Sequence, residues 1–190
     1  MDEGELNKRI ENAITKCQEI ISTHPNVVMS EADFERLLCH CISEQIGEEL
    51  VKIPSEGRFS VHTQISHFIK YNGGHKVGER VDILLLDENI VEKSKVRGKT
   101  VKYVGPSVAF ELKYLHPGDS ATVVNNDFKK WDRIKTESSL FIVVLLEMKN
   151  DKFFERKKNK ILSIYNNIIK DKDKETDSKK LYCFVLQKKL

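Results

Sequence analysis

The feature that most limits how this chain folds lies between Glu79 and Tyr114, where two apolar, strand-like runs carry charges at positions a sheet ordinarily fills with hydrophobes. The first is Arg80-Val81-Asp82-Ile83-Leu84-Leu85-Leu86, and the second is Ser107-Val108-Ala109-Phe110-Glu111-Leu112-Lys113-Tyr114. Side chains alternate between the two faces of a strand. Asp82 therefore shares a face with Leu84 and Leu86, and Glu111 and Lys113 share one with Ala109. Phe110, Leu112 and Tyr114 take the other face. Charges inside a sheet are costly unless they are paired or bound to a cation. Two arrangements meet that requirement: a buried ion pair of Lys113 with Asp82 or Glu111, or the two carboxylates on a divalent metal.

The second arrangement has a definite chemistry. Mg²⁺ takes oxygen ligands, uses one or two protein carboxylates and fills its other positions with water and phosphate oxygens. Lys113 follows Glu111 by two residues and so lies on the same strand face. There its ammonium can orient or deprotonate an attacking water and offset charge building on a phosphoryl group. An acidic pair with such a lysine suits metal-assisted phosphodiester hydrolysis.

The rest of the chain predicts the frame around these strands. Residues 4–23 have helical spacing of Leu6, Ile10, Ile14, Cys17, Ile20 and Ile21, and His24-Pro25-Asn26 ends that helix. Ser30 is a suitable N-cap for a second helix to about Ile46, with Glu31 and Asp33 in its first turn and Gly47 marking its end or a weak point. Its apolar face comprises Phe34, Leu37, Leu38, Cys41 and Ile42. Glu31 lies about 60° from Phe34 and Glu35 about 100°, so Glu31 leans further toward the interior. A first-turn carboxylate that serves only the helix end is the other reading of Glu31.

Residues 50–69 include an alternating strand, with Phe59, Val61, Thr63 and Ile65 opposed to Ser60, His62, Gln64 and Ser66. His62 and His67 have no metal-ligand spacing. Tyr71-Asn72-Gly73-Gly74-His75 reads as a turn. Between the two charged strands, residues 87–105 suit a hairpin with Arg97-Gly98-Lys99 near its tip. Residues 126–136 form a helix on Phe128, Trp131 and Ile134, and residues 140–146 a strand apolar enough to be buried on both faces. An amphipathic helix over 152–169, a charged linker over 171–180 and a strand over 181–186 complete the chain. The order predicts one domain, residues 1–190, of α/β class: a mixed sheet flanked by helices.

Composition narrows the partners. Residues 1–57 hold five Lys and Arg against twelve Asp and Glu, and the remainder holds 27 against 17, so a net charge of +3 conceals an acidic part of −7 and a basic part of +10. A basic C-terminal two-thirds suits a polyanion such as nucleic acid, or simply a solvated surface. The four cysteines have no framework spacing, and Cys39 and Cys41 point to nearly opposite sides of a helix, which predicts free thiols. With an acidic N-terminus and no run of 18 apolar residues, the expectation is a cytoplasmic protein with no membrane partner.

The pattern Asp82-x28-Glu111-x-Lys113, on successive strands after an acidic helix, resembles the PD-(D/E)XK nuclease superfamily. The resemblance covers residues 30–146. It implies the restriction-endonuclease-like αβββαβ core, helix, three antiparallel strands, helix and strand, with the N-terminal helix and the C-terminal helix and strand as additions. It also implies a metal at Asp82 and Glu111, Mg²⁺ with Mn²⁺ as the alternative, and Lys113 beside the attacking water. The acidic residue that many members carry on the first core helix maps to Glu31, with Glu35 in reserve. Gln64 is a candidate for the same cleft, and Lys129 and Lys130 for contact with the substrate backbone, unless the two lysines lie on a solvated face. Val81 stands where the motif often has proline. The helix after Lys113 lacks the Gln-x-x-x-Tyr of the exonuclease branch, which disfavours that activity.

The resemblance implies a Mg²⁺-dependent DNA endonuclease of a restriction, repair or mobile-element setting, and leaves a homodimer open. The alternative is a non-catalytic nucleic-acid-binding or assembly protein on the same fold.

Overall fold

The strongest apolar run, Ser139–Glu147, takes the central place its composition demands. It is β6, buried along its length from Ser139 to Leu146, with parallel strands on both sides. The computed structural model describes residues 3–50, 59–70, 76–87, 96–97, 100–101, 107–133, 139–148, 151–170 and 179–187. In chain order these form α1 (Glu3–Thr23), α2 (Glu31–Leu50), β1 (Phe59–Lys70), β2 (Lys76–Asp87), β3 (Val96–Arg97), β4 (Thr100–Val101) and β5 (Ser107–Leu115). After them come α3 (Asn125–Arg133), β6, α4 (Asp151–Tyr165) and β7 (Lys179–Leu186). A single 3-10 turn (Ala121–Val124) leads into α3, and a π turn (Asn166–Lys170) extends α4.

The strands make one mixed sheet in the order β3-β4-β1-β2-β5-β6-β7. β1, β2 and β5 are successively antiparallel, whereas β5, β6 and β7 are parallel. Parallel neighbours need a crossover, and α3 and α4 supply the two. The α/β class is as the residue pattern predicts. The insert between the charged strands is a small antiparallel hairpin, β3–β4, whose second strand pairs parallel to β1 at the sheet edge. Gly98 and Lys99, at the expected tip, lie outside the described residues.

Two apolar layers hold the helices to the sheet. On one face, Phe110, Leu112 and Tyr114 of β5 and Phe141, Val143 and Leu145 of β6 pack with Ile10, Ile14, Phe34, Leu38 and Ile42 of α1 and α2. On the other, Ala109, Leu140, Ile142 and Val144 pack with Phe128 and Trp131 of α3 and Ile161 and Tyr165 of α4. Phe110 stacks on Phe141 at 5.2 Å between ring centroids, and Phe34 meets the edge of Phe184 at 6.2 Å. Aromatic pairs in these geometries add about 0.5–1.5 kcal/mol to their burial.

The start of α2 has a clear cause. Ser30 Oγ accepts from Asp33 N at 3.2 Å, and Asp33 Oδ2 reaches back to Met29 N at 3.1 Å, which satisfies two backbone donors at the helix end. Of the two readings of Gly47, the helix end does not fall there, and α2 continues to Leu50. A glycine costs an interior helix position only about 1 kcal/mol, less than the packing of this helix supplies through Ile42 and Ile46. The buried Cys17 and Cys41 and the half-buried Cys39 and Cys183 are all free thiols. Among the described residues no helix is long and apolar enough to cross a membrane.

Candidate active site

The charged positions of β2 and β5 meet where the ladder between the two strands ends. Leu86, Leu85, Leu84 and Ile83 pair with Ser107, Val108, Ala109 and Phe110. Continued by one step, that register sets Asp82 opposite Glu111. Here a side chain replaces the ladder bond: Asp82 Oδ2 accepts from Leu112 N at 2.7 Å. The Asp82 carboxylate is thereby fixed to β5, one residue from Glu111.

Glu111 and Ser139 are the buried polar residues among those described, and Glu111 is only 7% exposed. Burial, first of all, and then the Asp82 charge push its carboxyl up to about 8, against the opposing pull of Lys130. A carboxyl so placed gives up its proton less readily than an ordinary one. Lys130 comes from α3, with its Nζ 2.5 Å from Glu111 Oε2 and 5.8 Å from the centre of the Trp131 ring. The lysine expected to meet a substrate backbone is turned inward instead, because the buried carboxylate beside it needs a partner. Its neighbour Lys129 is exposed.

Lys113 projects onto the same face of β5, with its ammonium 3.8 Å from two carboxylates: Glu31 Oε2 of α2 and Asp127 Oδ2 of α3. Glu31 is also tied to β5 directly, through Tyr114 N to Oε2 at 3.1 Å. Its carboxylate therefore serves the strand, while the cap of α2 belongs to Ser30 and Asp33. Glu35 lies one turn further along α2, beside the Cys39 thiol, whose value is pushed up to about 11 by burial and then by Glu35. Of the two helix carboxylates, Glu31 is the one brought to Lys113. Gln64 lies between Thr63 and Ile65, which pair with Ile83 and Val81, so its backbone stands across the β1–β2 ladder from Asp82.

One member has no counterpart among the expected site residues. Asp127 sits in the first turn of α3, and its Oδ2 is buried without a hydrogen-bond partner. Burial raises its carboxyl, and the charges of Lys113 and Lys130 oppose the rise. A signal for it exists in the sequence. Asp127, Lys130 and Trp131 fall at i, i+3 and i+4, so the buried tryptophan draws the other two toward the sheet.

Glu31 and Asp127 thus flank Lys113, Glu111 meets Lys130, and the Asp82 charge acts on both Glu111 and Asp127. Burial opposes ionisation of Glu111 and Asp127, and Asp127 Oδ2 has no hydrogen-bond partner, its contact with the Lys113 ammonium being 3.8 Å. The donors are oxygens, as Mg²⁺ prefers, and the pair on the strands matches the one or two carboxylates that it takes from a protein. Among the described residues, no group of three or more His, Cys, Asp or Glu is disposed to enclose a metal. No protein-family model, curated protein or solved structure matches the chain.

Proposed function

We propose that the protein is a metal-dependent nuclease that hydrolyses phosphodiester bonds, most naturally a DNA endonuclease of the PD-(D/E)XK superfamily. The observation that carries this reading is the meeting of Asp82, Glu111 and Lys113 on one face of two adjacent antiparallel strands, with Glu31 of the preceding helix beside Lys113. The element order α2, β1, β2, β5, α3, β6 supports it, being that of a restriction-endonuclease-like core. The balance of +10 over residues 58–190 suits a polyanionic substrate.

In this reading Asp82 and Glu111 hold Mg²⁺ or Mn²⁺. When bound, the ion supplies positive charge against the phosphodiester and lowers the pKa of water. Lys113 orients the attacking water and offsets the charge that develops on phosphorus-bound oxygens as the P–O bond breaks. Glu31 and Asp127 fix the position of the Lys113 ammonium. Lys130 balances Glu111 in the resting site.

A plasmid-nicking assay tests the proposal. Cleavage is expected with Mg²⁺ or Mn²⁺, absent with chelator, and reduced at least about 100-fold in Asp82→Ala and Lys113→Ala proteins of unchanged circular dichroism. A second reading, a non-catalytic DNA-binding protein on this fold, draws on the closed Lys130–Glu111 pair. Binding of DNA that is indifferent to chelator, with no nicking by the wild type, would decide for it.

A further inference from the structure

Between the loop that follows β5 and α4 lies a cavity of about 560 Å³, lined by Pro117, Ser120, Ala121, Met148, Phe153, Arg156, Lys157 and Lys160. Its size falls within the roughly 300–1,000 Å³ of ligand pockets. One wall is the loop that leaves β5 after Lys113 and enters the turn before α3, so it joins two members of the candidate site. Pro117 is four residues from Lys113, which puts the two no more than about 14 Å apart along the chain.

The opposite wall is α4. Phe153, Arg156, Lys157 and Lys160 fall at i, i+3, i+4 and i+7, a single stripe about 10 Å long. Lys157 belongs to the architecture, because its Nζ donates to His116 O at 2.9 Å and holds the loop over the helix. Arg156 and Lys160 are exposed, and Phe153 is 61% exposed. The lining contains three cations and no carboxylate, and the charge of Asp119 acts on Lys157. An aromatic platform within a basic groove is how proteins take single-stranded nucleic acid: the ring stacks a base and the cations follow the phosphates. A duplex keeps the faces of its bases stacked and offers none to Phe153.

We propose that this cavity receives one unstacked nucleotide from a single-stranded segment of the DNA substrate, with its base on Phe153 and adjoining phosphates on Arg156 and Lys160. The proposal rests on the nuclease reading and adds a substrate preference to it: frayed, flapped or single-stranded DNA bound next to the cleavage site.

The test is fluorescence anisotropy in chelator, with a labelled oligothymidylate and a labelled hairpin duplex. Phe153→Ala is expected to weaken oligothymidylate binding about five- to 150-fold while leaving the duplex nearly unchanged, and Phe153→Trp to restore it. Arg156→Ala and Lys160→Ala are each expected to reduce the slope of log affinity against log salt by about 0.7. Unchanged oligothymidylate binding in Phe153→Ala overturns the proposal, as does an equal loss for both DNA forms or full rescue by Phe153→Leu. Binding in chelator requires no cleavage. A wild type that binds in this pattern but never cuts therefore sinks the nuclease reading alone, and a nuclease indifferent to Phe153→Ala sinks this site alone.

Discussion

On one face of β5, Phe110, Leu112 and Tyr114 lie among the apolar side chains of α1 and α2. On the other, Glu111 and Lys113, from the positions between them, meet Lys130 and Asp127 of α3. Both faces are covered by a helix, yet they do different work. The first removes hydrocarbon from water, worth about 25 cal/mol for each Å² buried. The second places charges where burial opposes them, at a cost to the stability of the core. Adjacent residues of one strand should therefore respond to mutation in opposite ways.

The largest effect is expected on the apolar face. Phe110→Ala removes a fully buried ring stacked on Phe141 and should cost about 3–5 kcal/mol in urea unfolding. Glu111→Gln keeps the shape of the side chain and removes the ionisable group that burial disfavours. At neutral pH it should be at least as stable as the wild type, because it escapes the cost of a carboxyl whose value folding raises, while on the nuclease reading cleavage is lost. The contrast between the two faces fails if Glu111→Gln unfolds the protein as readily as Phe110→Ala does.

An intermediate effect follows from pH. In the folded chain the Glu111 carboxyl is raised from 4.5 to about 8. Below 4.5 both folded and unfolded chains hold the proton, so Glu111 takes nothing from stability there. As pH rises from 4.5 toward about 8, the unfolded chain releases the proton while the folded chain keeps it, and stability falls. The slope is at most about 1.4 kcal/mol per pH unit, and above the folded value this contribution falls no further. The raised Asp127 carboxyl acts in the same direction. Unfolding followed from about pH 5 to about pH 9 should show this decline in the wild type and a flatter course in Glu111→Gln. A cation that takes the place of the proton should raise the melting temperature more at the alkaline end, and Asp82→Asn should lose that gain. An equal gain from Mg²⁺ at both ends, or in the variant, would remove the ion from this site.

The unequal legibility of the two regions in the sequence has the same origin. Alternation in β2 and β5 assigns Asp82, Glu111 and Lys113 to faces without reference to anything distant, and Ser30 marks the start of α2 through a local hydrogen bond. Residues whose role depends on a second element are harder to read. Asp127 and Lys130 enter the site only because Phe128 and Trp131 anchor α3 against the sheet, and the sequence of the helix alone makes Lys130 look like a surface cation. Phe153, Arg156 and Lys160 become one wall of a cavity only once Lys157 fastens the β5–α3 loop over α4. Local periodicity carries the strands; the convergence of loops and helices is a property of the packed chain.

The smallest effect belongs to the helix carboxylate, and it decides which residue of α2 belongs with the charged face of β5. Glu31 is 46% exposed at its side chain, so solvent screens its 3.8 Å contact with Lys113. Glu31→Gln keeps an oxygen able to accept from Tyr114 N and removes only the charge. Stability should shift by no more than about 0.5 kcal/mol, and cleavage should fall about two- to fivefold, the size of an exposed ion pair. Glu31→Lys places a like charge against Lys113 and should lower cleavage further without unfolding α2, since Ser30 and Asp33 cap it independently. Single-turnover cleavage of plasmid DNA separates these variants from Glu35→Gln. A greater loss in Glu35→Gln than in Glu31→Gln would transfer the role to the residue one turn further on, and would detach the Tyr114–Glu31 contact from the chemistry.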